Sequence, residues 1–323
     1  MRKRIALLIA LLLVAPTMTG CMRTDTQEPI QTEAVKPELP DDLRMGEDGV
    51  PILKVYDVEE EAICEMDLET YVMGVLAGEM KNDWPQEALM AQAILARTFV
   101  LKFVETKDSA YDGADISTDV REAQAYSEVN INESVRKAVE DTRGQVMSYE
   151  GELVQAWFHA HAGGKTELPS VALDYQGEDP AYLAVTESPD SEDAPESVQA
   201  WTAVFDGEAF RAACADAGLQ AGLPESVEIG QTGESGRAKT LLVNGEAVSA
   251  PSLRIQLGAN QMKSTLLEDV RVQDGSVVMR GRGFGHGVGM SQWGAYAMAK
   301  DGADAEQIVR HYFQGVDIVQ LWS

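Results

Sequence analysis

The sequence predicts an α+β fold, with helices and short antiparallel strands in one main domain and a smaller lobe inserted at about residues 200–280. Three observations carry this expectation. Apolar residues recur at helical spacing through two neighbouring segments, 67–80 and 85–100. Short β-rich runs lie around them and are broken by turn residues such as Glu150-Gly151 and Asn244-Gly245. From Trp201 to about Met279 the pattern shifts to short strands around a capped helix, and helical spacing returns after Ser291. With 323 residues, 45% hydrophobic and 24% charged, the chain can bury a large core.

Taken in order, Met1-Arg-Lys-Arg and the apolar run Ile5–Ala15 read as an export signal. As a helix that run spans only ~17 Å, short of a ~30 Å hydrocarbon core. Met18-Thr-Gly-Cys21 resembles a lipoprotein cleavage box with Cys21 as the lipidated residue; an uncleaved anchor is the alternative. Either way the chain is expected to be exported and held at the extracytoplasmic face of the cell membrane. Residues 21–50, rich in Thr, Gln, Glu, Asp and Pro, read as a disordered tether.

Structure is then expected from Pro51, with a strand over Ile52–Tyr56. Asp67 caps a helix to about Met80, whose stripe is Leu68, Val72, Val75 and Leu76. Pro85 fits the first turn of a second helix carrying Leu89, Ala93, Ala96 and Val100. A short helix follows at 133–141. Gln145–Tyr149 and Leu153–Phe158 form a hairpin over Glu150-Gly151. Residues 186–199 form an acidic loop. Asp206 caps a helix ending near Gly218, and Asn244-Gly245 makes a tight hairpin. Two helices close the chain, Ser291–Lys300 and Ala305–Phe313, the second with Asp304 and Gln307 at capping-box spacing.

Charge narrows the partners. With 53 acidic against 26 basic residues, the net charge is −27, which repels phosphate backbones and argues against nucleic acid. An anionic ligand would therefore have to be held by hydrogen bonds and aromatic stacking rather than by surface charge. Cys64 and Cys214 read as unpaired small hydrophobes.

Candidate chemistry concentrates in two blocks. In Tyr71-Val-Met-Gly-Val-Leu-Ala-Gly-Glu-Met-Lys-Asn-Asp-Trp-Pro85, Glu79 falls at a helix C-terminus. The negative pole of that helix, with Met80 and Trp84 nearby, should raise its pKa, as a general acid requires. Asp83 is the nearby carboxylate and reads as a cap for the next helix. In Gly281-Arg-Gly-Phe-Gly-His-Gly-Val-Gly-Met-Ser-Gln-Trp-Gly294, the alternate glycines would share one bare face of an extended strand. Their spacing is neither a dinucleotide fingerprint nor a P-loop. Ser291, Gln292 and Trp293 open a helix. A Trp edge beside hydrogen-bond donors suits a sugar ring, with core packing as the alternative. His159 and His161, at i and i+2, would face one way on a strand and could share a metal, with His286 as a third ligand.

Together the two blocks resemble the family of the stage II sporulation protein D and the amidase enhancers, from about Pro51 to the C-terminus. The resemblance implies that Glu79, at the family's Gly-Glu position, is the single catalytic acid–base. It places Gln92 and Arg97 in the family's Ala-Gln-Ala and Ala-Arg-Thr, as substrate-binding residues with His159, His286, Ser291, Gln292 and Trp293. For Arg97 a structural ion pair, including one to Glu79, is the alternative. It further implies a lytic transglycosylase acting on peptide-stripped peptidoglycan strands during engulfment of a forespore, beside an amidase that removes the peptides. Some relatives use a metal held partly by cysteines, and none stands in Phe158–Glu167 or Thr118–Tyr126. No cofactor is therefore expected, with zinc on His159, His161 and His286 as the alternative. The rival readings are a non-catalytic glycan-binding activator of a cell-wall amidase and a metal-dependent amidase.

Overall fold

The computed structural model describes residues 35–40 and 43–323. Cys21, the export signal and residues 21–34 of the tether lie outside the described residues. Ordered structure is already present before residue 50, where the tether was expected to end. Arg44–Met45 (β1) pairs with the start of Pro51–Asp57 (β2), Val50 is fully buried, and Leu39 and Leu43 pack on the core. A few apolar side chains in a polar stretch suffice for this, since burying each one stabilises by about 1.5–3 kcal/mol. The average composition conceals them.

β2 pairs antiparallel with Ala62–Asp67 (β3) and alternates as a half-buried strand should, with Leu53 and Val55 inside and Lys54 outside. Asp67 then caps Leu68–Glu79 (α1), its carboxylate accepting from the Thr70 N–H at 2.9 Å. Gln86–Thr106 (α2) is a 21-residue helix buried on most of its surface, Leu89, Ala93, Ala96 and Val100 included. It packs against α1 and against elements from residues 133–153 and 292–312. Pro85 takes the cap position of α2 rather than its first turn, and no side chain caps this helix. Asp83 therefore does not have the capping role expected of it. Proline has no N–H to satisfy and sets the entry angle by itself.

Ile116–Ser117 (β4) adds to β2 in parallel. Glu133–Asp141 (α3) covers α1 and α2. Gln145–Tyr149 (β5) and Glu152–Leu153 (β6) form the expected hairpin, with Glu150 and Gly151 both at positive φ, as a tight turn between right-twisted strands requires. The second strand stops at Leu153, far short of Phe158. Phe158–His159 (β7) pairs elsewhere, in parallel with a strand of the glycine-rich block. Short helices Pro169–Ala172 (α4) and Glu196–Gln199 (α5) follow.

Residues 200–282 build a second hydrophobic cluster of their own, centred on Trp201, Phe205, Phe210, Leu253 and Met279. Ala200–Asp206 (β8) leads into Gly207–Asp216 (α6), capped by Asp206. Val227–Ile229 (β9), Thr240–Val243 (β10) and Glu246–Ser249 (β11) form one sheet, turned at Asn244-Gly245. Ala250–Leu257 (α7) then leads to Leu267–Gln273 (β12) and Ser276–Arg282 (β13), which pair with β8. Met290–Ser291 (β14) is the partner of β7. Gln292–Lys300 (α8), Ala305–Tyr312 (α9, with its capping box) and Asp317–Gln320 (β15, beside β5) return to the first core. Cys64 and Cys214 are unpaired, and among the described residues no helix is long and apolar enough to cross a membrane.

Candidate active site

Glu79 is the last residue of α1 and lines a cleft of about 520 Å³. The other walls come from α2 (Phe99), from the loop before α3 (Ala123, Gln124), from β7 and its approach (Trp157 to Ala160), from the glycine-rich block (Phe284 to His286, then Gln292) and from α7 (Arg254). Of the side chains lining this cleft, Glu79 is the one carboxylate and Arg254 the one cation that is charged at neutral pH. Asp83 lies on the far side of Glu79, in a neighbouring depression of about 490 Å³.

Burial raises the pKa of Glu79, and two hydrogen-bonding partners work against it. The Ala125 N–H donates to its Oε1 at 2.6 Å, and the Gln292 amide donates to its backbone carbonyl at 3.3 Å. The direction matches the expectation from sequence, while the neighbours differ. Trp84 turns away into an aromatic cluster, with ring centroids 4.5 Å from Trp293 and 5.0 Å from Tyr296.

Gly74 and Gly78 explain how the Ala125 loop reaches Glu79. A Cβ on Gly78 would sit 2.7 Å from the Ala125 backbone, and one on Gly74 would sit 2.1 Å from the Tyr126 ring. The two glycines, four residues apart on one face of α1, open a groove that the loop occupies. This loop was not expected in the site. Its available signal was the Gly-x-x-x-Gly spacing on a helix that otherwise had no need of glycine.

His159 and His286 both line the cleft, with ring centroids 5.6 Å apart. His159 Nδ1 donates to the Val288 carbonyl at 3.1 Å, leaving Nε2 buried without a partner among the described residues. In this tautomer Nε2 carries the lone pair. His286 Nδ1 instead accepts from the Val288 N–H at 3.0 Å, which puts its proton on Nε2. Desolvation lowers both pKa values, that of His159 well below the usual range and that of His286 to about 3. Both rings are neutral at physiological pH.

The three histidines held as the alternative zinc ligands do not come together. β7 ends at His159, so His161 does not continue its face. His161 Nδ1 accepts from the Gly163 N–H at 3.0 Å and lies 3.6 Å from Asp190, away from the cleft. Among the described residues, no group of three or more His, Cys, Asp or Glu side chains is arranged to hold a metal ion.

Four other residues expected to bind substrate do not line the cleft. Arg97 is fully buried and pairs with Glu69, not Glu79: its Nε and Nη2 meet the two carboxylate oxygens at 3.1 and 2.6 Å. Gln92 is fully buried on the same helix and does not line the cleft. Ser291 caps α8, accepting from Gly294, and donates to Asp190. Asp190, on the expected acidic loop, has its side chain turned inward and also accepts from the Gly164 N–H at 3.0 Å. Trp293 is 6% exposed within the aromatic cluster, as its alternative reading held. Gln292 alone of the Ser-Gln-Trp run faces the cleft.

The glycine-rich block is not an extended strand with one bare face. Gly283, Gly285, Gly287 and Gly289 all have positive φ, so the chain winds between β13 and β14 as a loop. At Gly287 a Cβ would collide with the buried Arg237 guanidinium at 2.1 Å, and at Gly289 with the Trp157 carbonyl at 2.0 Å. The glycines thus seat the loop against residues 157–163, and this presents Phe284 and His286 to the cleft. Arg254 carried no sequence signal; it arrives from the second cluster through the fold alone.

Part of the chain matches a known class of sporulation protein. The family model for stage II sporulation protein matches residues 56–149, which include Glu79 and the Ala125 loop. The chain belongs to the stage II sporulation protein D family. It is 31% identical over 283 residues to the stage II sporulation protein D of Bacillus subtilis (strain 168), covering 82% of this chain and 78% of that one. The Bacillus amyloliquefaciens protein of the same name is also 31% identical over 283 residues, with 83% and 79% covered. An amidase enhancer of Bacillus subtilis (strain 168) is 26% identical over 292 residues, covering 76% of this chain and 40% of the relative.

Proposed function

We propose that this protein is a lytic transglycosylase that cuts peptide-stripped peptidoglycan strands during sporulation. One observation carries the reading: the cleft is lined by a single carboxylate, Glu79, and burial favours its protonated form. Hydrolases that add water use two carboxylates. One carboxyl suffices where the substrate supplies its own nucleophile. Glu79 protonates the glycosidic oxygen as the C1–O bond breaks. Its carboxylate then takes the proton from the C6 hydroxyl of the muramic acid, and that oxygen bonds to C1. The product is a 1,6-anhydro sugar, and no water is consumed. Gln292, His286 and the free Nε2 of His159 provide hydrogen-bonding groups for sugar hydroxyls, and Trp157, Phe158 and Phe284 provide apolar faces. The reaction is proposed to need no metal, so activity should survive chelation.

The proposed setting is the extracytoplasmic membrane face, with residues 1–20 as signal and Cys21 as lipid anchor, followed by the catalytic domain with a smaller inserted lobe. Loss of fatty-acid labelling in Cys21→Ala tests that anchor. An amidase is the proposed partner. The relative named an amidase enhancer favours one second reading, a glycan-binding activator that does not cut. Mass analysis of products from peptide-free glycan decides between them. Anhydro-muramic ends support the transglycosylase; reducing ends refute it; intact glycan with a stimulated amidase supports the activator.

A further inference from the structure

Arg254 is the one unexplained charge in the cleft. It sits in the last turn of α7, and its Nε donates to the Lys263 carbonyl at 3.1 Å. That bond fixes the guanidinium plane and occupies one edge. The terminal nitrogens have no hydrogen-bond partner, and no carboxylate lies within ion-pair distance, among the described residues. The contrast with Arg97, whose fork is filled by Glu69, is direct. Burial lowers the Arg254 pKa to about 10, so it remains charged at neutral pH. Arg254 is partly buried, and its unpaired terminal nitrogens remain open to the cleft to receive a ligand. Its planar fork fits a carboxylate.

The charge inventory of the cleft points the same way. Both histidines are neutral, and Glu79 is uncharged in its acid form, so Arg254 then sets the local sign. The chain as a whole carries −27 and opposes anionic ligands. Surface charges are screened over about 8–10 Å in physiological salt, whereas a charge inside the cleft is screened much less.

We propose that Arg254 determines specificity by binding the free carboxylate of the lactyl ether on a muramic sugar, the group exposed when a stem peptide is removed. This inference rests on the glycan-strand reading above. On a peptide-bearing strand that carboxyl is tied up as a neutral amide. Arg254 would thus distinguish stripped from unstripped strands by a charge, and cleavage would follow peptide removal.

The test uses three glycans: peptide-free strands with free carboxylates, the same strands capped as methylamides, and strands with intact peptides. Binding is measured with Glu79→Gln, which does not turn over, and kcat/KM with the otherwise unchanged protein. A hydrogen-bonded charge pair corresponds to a preference of roughly tenfold or more for the free carboxylate over the methylamide. Arg254→Gln should erase that preference, and Arg254→Lys, which keeps the charge without the fork, should retain part of it. Equal binding of free and capped strands, tighter binding of peptide-bearing strands, or an undiminished preference in Arg254→Gln would each overturn the proposal. If Arg254→Gln fails to fold, the comparison of free with capped strands and the Arg254→Lys variant still decide. A binding preference without any cleavage would sink the transglycosylase reading and leave this one standing. Equal cleavage of free and capped strands would do the reverse.

Discussion

Glu79 Oε1 accepts a 2.6 Å hydrogen bond from the Ala125 N–H, across a groove that exists because residue 78 is glycine. The bond holds one oxygen of the carboxyl and leaves the other for chemistry. Glu79→Gln keeps the shape and the acceptor but has no proton to give. Cleavage should fall by about 10²–10⁴-fold, measured as anhydro-sugar release, while glycan binding persists. Asp83→Asn should cost far less, because Asp83 lies outside the main cleft. Activity should decline as pH rises through the raised Glu79 pKa, because the acid form is lost there.

The same substitution should alter stability with the opposite sign. Glu79 has a pKa raised above its ordinary value of 4.5. Below that value the group is neutral in both folded and unfolded chains and has no effect. As pH rises above 4.5 the unfolded chain ionises first and is favoured, so the native state loses stability until the folded pKa is passed. Glu79→Gln should therefore melt at a higher temperature than the unchanged protein at pH 8, with the gap closing near pH 4. Thermal melts across that range check this, and a lower melting temperature at pH 8 would contradict it.

Gly78→Ala tests whether the loop positions the acid. The added Cβ would meet the Ala125 backbone at 2.7 Å, so the loop must move away. A displacement of about 1 Å in a catalytic arrangement can cost roughly a hundredfold in rate. The expected result is a large fall in kcat with a folded circular dichroism spectrum and little change in glycan affinity.

Arg97→Met separates structure from substrate binding. It leaves the Glu69 carboxylate buried and unpaired, facing Gly144 N–H and Trp322 Nε1 alone. Breaking a buried pair in this way costs about 3–5 kcal/mol. Denaturant unfolding should show that loss, and whatever folded protein remains should keep its KM. A raised KM at unchanged stability would restore Arg97 to the substrate site.

The histidine tautomers are directly measurable. Nitrogen-detected NMR should find His159 protonated on Nδ1 and His286 on Nε2, because the Val288 carbonyl accepts from one ring and the Val288 N–H donates to the other. Neither ring should titrate near the ordinary value of 6.5. Depressed histidine pKa values contribute stability that is present above 6.5 and lost as pH falls below it. A gradual acid destabilisation should therefore begin near pH 6.5, before the carboxylates titrate.

The sequence by itself determined the local elements and the position of the cleft carboxylate Glu79. Asp67, Asp206 and Asp304 marked helix starts, because a short acceptor before an apolar stripe satisfies orphaned N–H groups whatever the tertiary surroundings. Glu150-Gly151 and Asn244-Gly245 marked hairpins for a similarly local reason, the positive φ such turns demand. Glu79 was legible because its motif and its place at a helix end are both local. Only the tertiary structure decided which partners meet. Arg97 chose Glu69 over Glu79, Ser291 turned to Asp190, and Trp293 closed against Trp84. Arg254 entered the cleft from a separate cluster with no mark in the sequence. These outcomes depend on side chains distant along the chain, and residue type and spacing carry no record of which buried charge will find which counter-charge. The glycine-rich block shows the limit most plainly. Its period of two describes a flat strand equally well, and only the collisions awaiting a Cβ at Gly287 and Gly289 make it a loop wound against the site.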